Sequence, residues 1–139
     1  MRTLLFRFWQ WTWGFPQTLI GFIIYCIYRK RPHWQYHGCI VTPWKVSGSL
    51  GMGMFLFLNA DHYAKLPQIQ VHEFGHAVQS AILGPLFLPI MGIPSFLWCN
   101  LPPCRKLRRE MGISYYRFYP ESSANYLGQL VAKDTCNFN

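Results

Sequence analysis

Two histidines and a glutamate near the middle of the chain have the spacing of a metal site. His72 and His76 are four residues apart, and Glu73 directly follows the first of them. Residues four apart lie on one face of an α-helix, so both imidazoles can reach one metal ion. Glu73 lies about 100° around the helix from His72, which places its carboxylate beside the metal rather than on it. The spacing therefore predicts two ligands and, in Glu73, a catalytic general base that acts on a metal-bound water.

A third ligand is predicted in the segment FYPESSANYLG, residues 118–128. Glu121 falls in the first turn of a helix expected to begin near Pro120. Asn125 follows one turn later and can accept a hydrogen bond from the outer nitrogen of a ligand histidine, which would fix the orientation of the ring. Ala124 can let this helix approach the histidine helix closely. Alternatively, Glu121 is only a helix N-terminal carboxylate that the helix dipole favours.

The order His72-Glu73-x-x-His76 and then Glu121-x-x-Ala124-Asn125 resembles the gluzincin metallopeptidases. Their pattern is HExxH followed by ExxA and then Asp or Asn. The resemblance implies that His72, His76 and Glu121 bind Zn²⁺, that Glu73 is the base, and that the protein is a peptidase. Asn125 stands where gluzincins often have Asp, and it accepts a hydrogen bond but supplies no charge.

A wider run of sequence, residues 50–125, resembles a group of small bacterial membrane proteins with HEYGH-type motifs. This resemblance covers over half the chain. It implies a membrane location and a zinc site, and it carries no established substrate.

The composition is unusual for a water-exposed domain. The chain is 51% hydrophobic, 18% aromatic and only 13% charged, with a net charge of +8, whereas soluble domains have roughly 25% charged residues. Few charges with a basic excess indicate a lipid bilayer as the partner, with cations facing anionic headgroups. Nucleic acid is the rival partner, but the basic residues flank apolar runs instead of forming a stripe, so no nucleic-acid binding is expected.

The cysteines argue against a disulfide scaffold and against a thiolate zinc site. Their number is odd and no pair has CxxC spacing. This usage favours a reducing, cytosol-facing environment. The five are Cys26, Cys39, Cys99, Cys104 and Cys136.

Two apolar stretches could enter a bilayer. Residues 8–28 predict either one transmembrane helix or a helical hairpin that turns at Gly14-Phe15-Pro16. Residues 77–101 contain three prolines, and Gly84-Pro85 is a strong helix stop, so this stretch predicts a re-entrant hairpin of two half-length helices. Between them, residues 44–59 predict a β-hairpin or a curled strand.

These elements predict a mainly α membrane protein. It would combine apolar helices or re-entrant helical hairpins with a small β-hairpin and a zincin-like HExxH helix. We expect one domain over residues 1–139, in which 1–31 form a membrane anchor or hairpin and 32–139 form the metal-site region. The expected location is integral to the membrane, in a bacterial inner membrane, with the site near the cytoplasmic interface.

The predicted function is a membrane-embedded zinc metallopeptidase that hydrolyses a peptide or membrane-protein substrate. One alternative is a non-catalytic interaction or immunity protein that a metal stabilises, which would need the ligands but not Glu73. Another is a zinc hydrolase of a lipid or other amide. The sequence does not indicate an oligomeric state.

Several other side chains are weaker candidates for the site. A hydroxyl of Tyr115, Tyr116 or Tyr119 could stabilise an oxyanion. Gln79 could line the cleft. The remaining histidines have no ligand spacing and are expected at the surface; they are His33, His37 and His62.

Overall fold

The computed structural model describes residues 1–134, which form six α-helices and one sheet. Cys136 lies outside the described residues. The helices are α1 (Arg2–Thr12), α2 (Phe15–Ile27), α3 (Leu66–Leu83), α4 (Ile93–Asn100), α5 (Pro102–Met111) and α6 (Tyr119–Ala132). The strands are β1 (Trp34–Tyr36), β2 (Cys39–Trp44), β3 (Leu50–Met52) and β4 (Phe55–Asn59). Short helical turns cover Ala60–Lys65, Gly84–Leu86, Leu88–Gly92 and Tyr115–Arg117.

The sheet has four strands in the order β1-β2-β4-β3. β2 and β4 run parallel, and the two outer pairings are antiparallel. All five residues of β4 are buried, and their side chains alternate between the two faces of the sheet. Phe55 and Phe57 pack with residues of α2, whereas Leu56 and Leu58 pack with residues of α3. One face of the sheet therefore packs against α2 and the other against α3.

The α1–α2 hairpin is fastened to α3 by buried amides. The side chain of Gln10 donates to the carbonyl oxygen of Ala77 at 2.8 Å. Gln17 donates to the hydroxyl of Ser80 at 2.7 Å and to the carbonyl oxygen of Gly84 at 2.9 Å. Both glutamines are completely buried, so these hydrogen bonds fix the hairpin against the helix that carries the two histidines.

The predicted membrane architecture is wrong. Within residues 1–134, no helix combines the length and the apolar character that a bilayer crossing requires; such a crossing takes about 20 apolar residues. The first apolar stretch divides at Gly14 into helices of 11 and 13 residues. The second divides after Leu83, and α3 carries buried polar side chains, His72 and Gln79 among them. This finding also contradicts the predicted integral location in a bacterial inner membrane.

The predicted small β-hairpin accounts for half of the sheet. β3 and β4 form an antiparallel pair inside residues 44–59, with Gly51 opposite Leu56. The prediction missed β1 and β2. The β2–β4 pairing joins two strands that are not consecutive in the chain, and a local pattern gives no sign of such a pairing.

Candidate metal centre

Helix α3 presents His72 and His76 on one face. Their ring centroids lie 4.9 Å apart with the planes at 86° to each other, and both side chains are buried. The four-residue spacing thus places the two imidazoles on the same face of the helix, one turn apart, as predicted.

Glu121 meets both histidines from the first turn of α6. One of its oxygens, Oε2, lies 3.0 Å from Nε2 of His72 and 3.4 Å from Nε2 of His76. The Glu121 side chain is completely buried. The ligand atoms of the three residues all lie within 4.8 Å of one another, so this buried group could hold a metal ion. The structure therefore brings together the three predicted ligands.

The close approach of α3 and α6 depends on small residues. A Cβ on Gly75 would clash with the backbone of Ala124, and a Cβ on Gly128 would clash with the carbonyl oxygen of Val71. Ala124 itself is completely buried, as the ESSAN segment led us to expect. Backbone therefore packs against backbone, and this brings Glu121 within reach of the histidines.

The outer nitrogen of each histidine has a hydrogen-bond acceptor. Nδ1 of His72 lies 2.5 Å from Oδ1 of Asn125, and Nδ1 of His76 lies 2.8 Å from Oε1 of Gln79. An amide oxygen only accepts, so Nδ1 must carry the proton in both rings. Each Nε2 faces Glu121, and in the neutral imidazole its lone pair is available to a metal ion. Asn125 holds the position predicted for it.

Gln79 has a larger role than the sequence indicated. Its amide nitrogen donates to the carbonyl oxygen of Pro120 and to the hydroxyl of Ser123, both at 2.8 Å. One buried side chain thus joins His76 on α3 to the turn of α6 that carries Glu121. The only sequence signal was that Gln79 follows His76 by three residues, on the same face of the helix.

Ser95 is a second residue that sequence reasoning missed. Its hydroxyl donates to Oε1 of Glu121, the carboxylate oxygen that does not face the histidines. Ser95 lies on α4, so three helices hold the site. No spacing in the sequence relates Ser95 to the other residues.

The charges of the three clustered side chains depend on one another. Burial alone would lower the pKa of His76, but the Glu121 carboxylate beside it is the main reason that this pKa is raised to about 9. Burial alone would raise the pKa of Glu121, but His76 and His72 hold it far below its usual range. The carboxylate is therefore ionised at neutral pH.

Glu73 occupies a different place from the ligands. Its side chain is buried, and burial is the main cause of its raised pKa; His72 and His76 lower this pKa and Glu121 raises it further. The edge strand β3 passes directly beside it, because a Cβ on Gly51 would lie 3.2 Å from Oε2 of Glu73. Burying a carboxylate costs free energy, and strongly perturbed carboxyl groups concentrate at functional sites.

A cleft of about 370 Å³ opens onto Glu73 and His76. One wall is formed by β3 and the loop before it, and α4 forms another. His72 and Glu121 are not among its lining residues. The cleft therefore reaches the cluster from the side of Glu73.

One of the three candidate tyrosines lines this cleft. Tyr115 is this residue. Burial is the main cause of its raised pKa, and the charges of Glu121, Cys99 and Glu73 raise it further. The hydroxyl therefore stays protonated. The ring of Tyr116 packs edge-on against His72 at 5.1 Å. The hydroxyl of Tyr119 donates to the carbonyl oxygen of Ile90 at 2.6 Å, which directs it away from the cleft.

The remaining described histidines lie outside the cluster. The ring of His33 hydrogen-bonds the hydroxyl of Thr42 at 2.8 Å. His37 lies 4.0 Å from Asp134. His62 is exposed in the turn before α3.

Comparison of the chain with protein-family models, curated proteins and solved structures found no match. The gluzincin resemblance therefore stays a prediction, and the function proposed below is based on the geometry of the site.

Proposed function

We propose that the protein is a zinc metallopeptidase in which His72, His76 and Glu121 hold the metal and Glu73 is the general base. One observation carries the proposal: Glu73 and His76 line a cleft, whereas the buried side chains of His72 and Glu121 do not. A metal at this point would have protein on one side and room for water and substrate on the other. Catalytic zinc sites keep such an open position, and structural sites do not.

The donor set suits zinc. Two imidazole nitrogens and one carboxylate oxygen are a ligand set that catalytic zinc uses. The distances of 3.0 and 3.4 Å between Glu121 and the two imidazoles bracket the ~3.3 Å expected between ligands of a tetrahedral zinc ion at 2.0–2.1 Å. Asn125 and Gln79 keep the proton on the outer nitrogen of each ring, which supports the same assignment.

When bound, zinc lowers the pKa of a water molecule to about 7 and polarises the carbonyl group of the substrate. Glu73 accepts the proton of the attacking water and delivers it to the nitrogen of the leaving amine as the carbon–nitrogen bond breaks. The protonated hydroxyl of Tyr115 lines the same cleft. It is a hydrogen-bond donor for the negative charge that develops on the carbonyl oxygen.

In the non-catalytic alternative, in which the metal only stabilises the fold, Glu73 has no role. A structural metal needs ligands, yet the fold also buries a fourth ionisable side chain, that of Glu73, beside them at the cleft. Its desolvation opposes folding, so a protein that only required the metal would be more stable with an apolar residue at this position. A hydrolase of lipid or other amides would use the same residues, and only the choice of substrate separates it from a peptidase.

Hydrolysis of a peptide library tests the proposal. The zinc-loaded protein is incubated with peptides derived from a whole proteome, and new amino termini are identified by mass spectrometry. We expect cleavage that chelation stops and that added zinc restores, with the His72→Ala variant inactive. Cleavage that continues after zinc removal, or that His72→Ala retains, would contradict the proposal. Release of fatty acid from an N-acylated lipid, with no cleavage of peptides, would replace it with the lipid amide hydrolase.

A further inference from the structure

Apart from Glu73 and His76, the side chains that line the cleft are uncharged, although the protein is strongly basic. The chain carries 13 lysines and arginines and a net charge of +8. Among the cleft-lining residues that the structure describes, there is no lysine, arginine or aspartate. The lining is instead mostly apolar or aromatic, with Trp44, Val46, Leu50, Met52, Phe87 and Phe96.

The few ionisable groups at the cleft do not provide a site for a substrate charge. Glu73 and His76 belong to the proposed metal centre, and the hydroxyl of Tyr115 stays neutral. The carboxylates of Glu73 and Glu121 formally balance the charge of a divalent ion. A charged side chain or a free chain terminus would therefore lose its hydration without gaining an ion pair.

The polar groups of the lining outside the metal centre are neutral. They include the hydroxyl of Ser47, in the loop before β3, and the amide of Asn100, on α4. Neutral donors and acceptors of this kind suit the amide groups of a polypeptide backbone. An enzyme that removes terminal residues needs a charged group for the free α-amine or α-carboxylate, and the described lining offers no such group beyond the metal site itself.

We infer that the cleft binds an internal, uncharged segment of a polypeptide and places a large apolar side chain beside the bond to be cleaved. This inference rests on the proposed function and specifies its substrate class. Phe96 is the residue we assign to specificity, because it lines the cleft although its side chain is 64% exposed. An apolar side chain packed there would cover it from water. Such contacts contribute about 10–200-fold in discrimination.

Binding of four hydroxamates to the zinc-loaded protein tests the inference without requiring turnover. Acetohydroxamate reports only an accessible metal. N-acetyl-leucine hydroxamate adds an uncharged apolar side chain, leucine hydroxamate adds a free amine, and N-acetyl-glutamate hydroxamate adds a carboxylate. We expect N-acetyl-leucine hydroxamate to bind roughly tenfold or more tightly than acetohydroxamate. Both charged probes should lose most of that gain in isothermal titration calorimetry.

Two neighbouring residues of α4 provide a matched pair of variants. Phe96 lines the cleft, whereas Leu97, which is 41% exposed, does not. Phe96→Glu should abolish the preference for N-acetyl-leucine hydroxamate over acetohydroxamate. Leu97→Glu should change neither affinity.

The outcomes separate this inference from the proposed function. Three results would overturn the inference and leave the open metal site intact. They are equal affinities for N-acetyl-leucine hydroxamate and acetohydroxamate, equal affinities for the charged and uncharged probes, and identical behaviour of the Phe96 and Leu97 variants. Failure of acetohydroxamate to bind would overturn the open metal site and the inference with it. The expected preferences in a protein that cleaves no peptide would support binding of an uncharged apolar segment in the cleft, and they would contradict hydrolysis.

Discussion

Oε2 of Glu121 lies 3.0 Å from Nε2 of His72, although 49 residues separate the two in the chain. The same oxygen is 3.4 Å from Nε2 of His76. One buried carboxylate therefore joins both imidazoles of α3 to α6. This convergence, together with the cleft at Glu73, is the basis of the proposed zinc centre.

Removal of a ligand should cost far more zinc affinity than removal of an outer hydrogen bond. We expect His72→Ala, His76→Ala and Glu121→Ala each to lose bound zinc. Asn125→Ala, which removes the acceptor for Nδ1 of His72, should weaken binding by about 10–100-fold. Metal analysis and competition with a chelator measure both effects. Full zinc occupancy in Glu121→Ala would show that the third ligand lies elsewhere.

Gln79 should behave as a positioning residue. Gln79→Leu keeps the approximate size of the side chain but removes its bonds to Nδ1 of His76, to Pro120 and to Ser123. We expect zinc affinity to fall by about 10–100-fold. Ser123→Ala is the matched control, because it removes one bond of Gln79 and leaves the bond to His76. Zinc affinity equal to wild type in Gln79→Leu would refute this role.

The glycine at the helix crossing should be required for folding. Gly75→Ala places a methyl group against the backbone of Ala124, which cannot move aside as a side-chain tip can. We expect the free energy of unfolding in urea to fall by about 1–3 kcal/mol or more. In Gly92→Ala the nearest atom is the side-chain Cδ2 of Leu88, at 3.2 Å, so that variant should lose much less. Equal losses in the two variants would mean that the α3–α6 contact does not depend on Gly75.

Zinc affinity should rise with pH through the neutral range. Burial opposes the charge on His76, but Glu121 and Glu73 raise its pKa to about 9 in the metal-free protein. Zinc binds the neutral imidazole and must displace this proton at any lower pH. Affinity should therefore increase by up to about tenfold per pH unit and level off near the pKa of His76. Chelator competition at a series of pH values measures the slope; an affinity independent of pH would contradict the assignment of His76 as a ligand.

The local parts of the site could be predicted from the sequence, and the long-range parts could not. His72 and His76 are four residues apart on α3, and Glu121 and Asn125 are four residues apart on α6. Helix geometry alone therefore predicts that each pair lies on one face of its helix. Gln79 was visible as a neighbour of His76, but its bonds to Pro120 and Ser123 exist only once α6 has docked.

The membrane prediction failed because apolar composition does not specify what the apolar residues pack against. Phe55 and Phe57 cover one face of β4, and Leu56 and Leu58 cover the other. Trp9, in the first apolar stretch, donates its indole N–H to the carbonyl oxygen of Ala81 at 2.7 Å. The prediction also missed two of the four strands. The β2–β4 pairing joins strands that are separated in the chain by β3, so a local sequence pattern could not reveal it.

The most direct test of the proposed mechanism is the rate of peptide cleavage by Glu73→Gln at full zinc occupancy. Glutamine preserves the size of the side chain but cannot accept the proton of the attacking water. With zinc content and fold equal to wild type, we predict that cleavage of a peptide taken from the library experiment falls by about 10²–10⁴-fold. Glu110→Gln, on the exposed surface of α5, is the control and should cleave at the wild-type rate. A Glu73→Gln variant that binds zinc and cleaves at the wild-type rate would contradict the central claim that Glu73 is the general base.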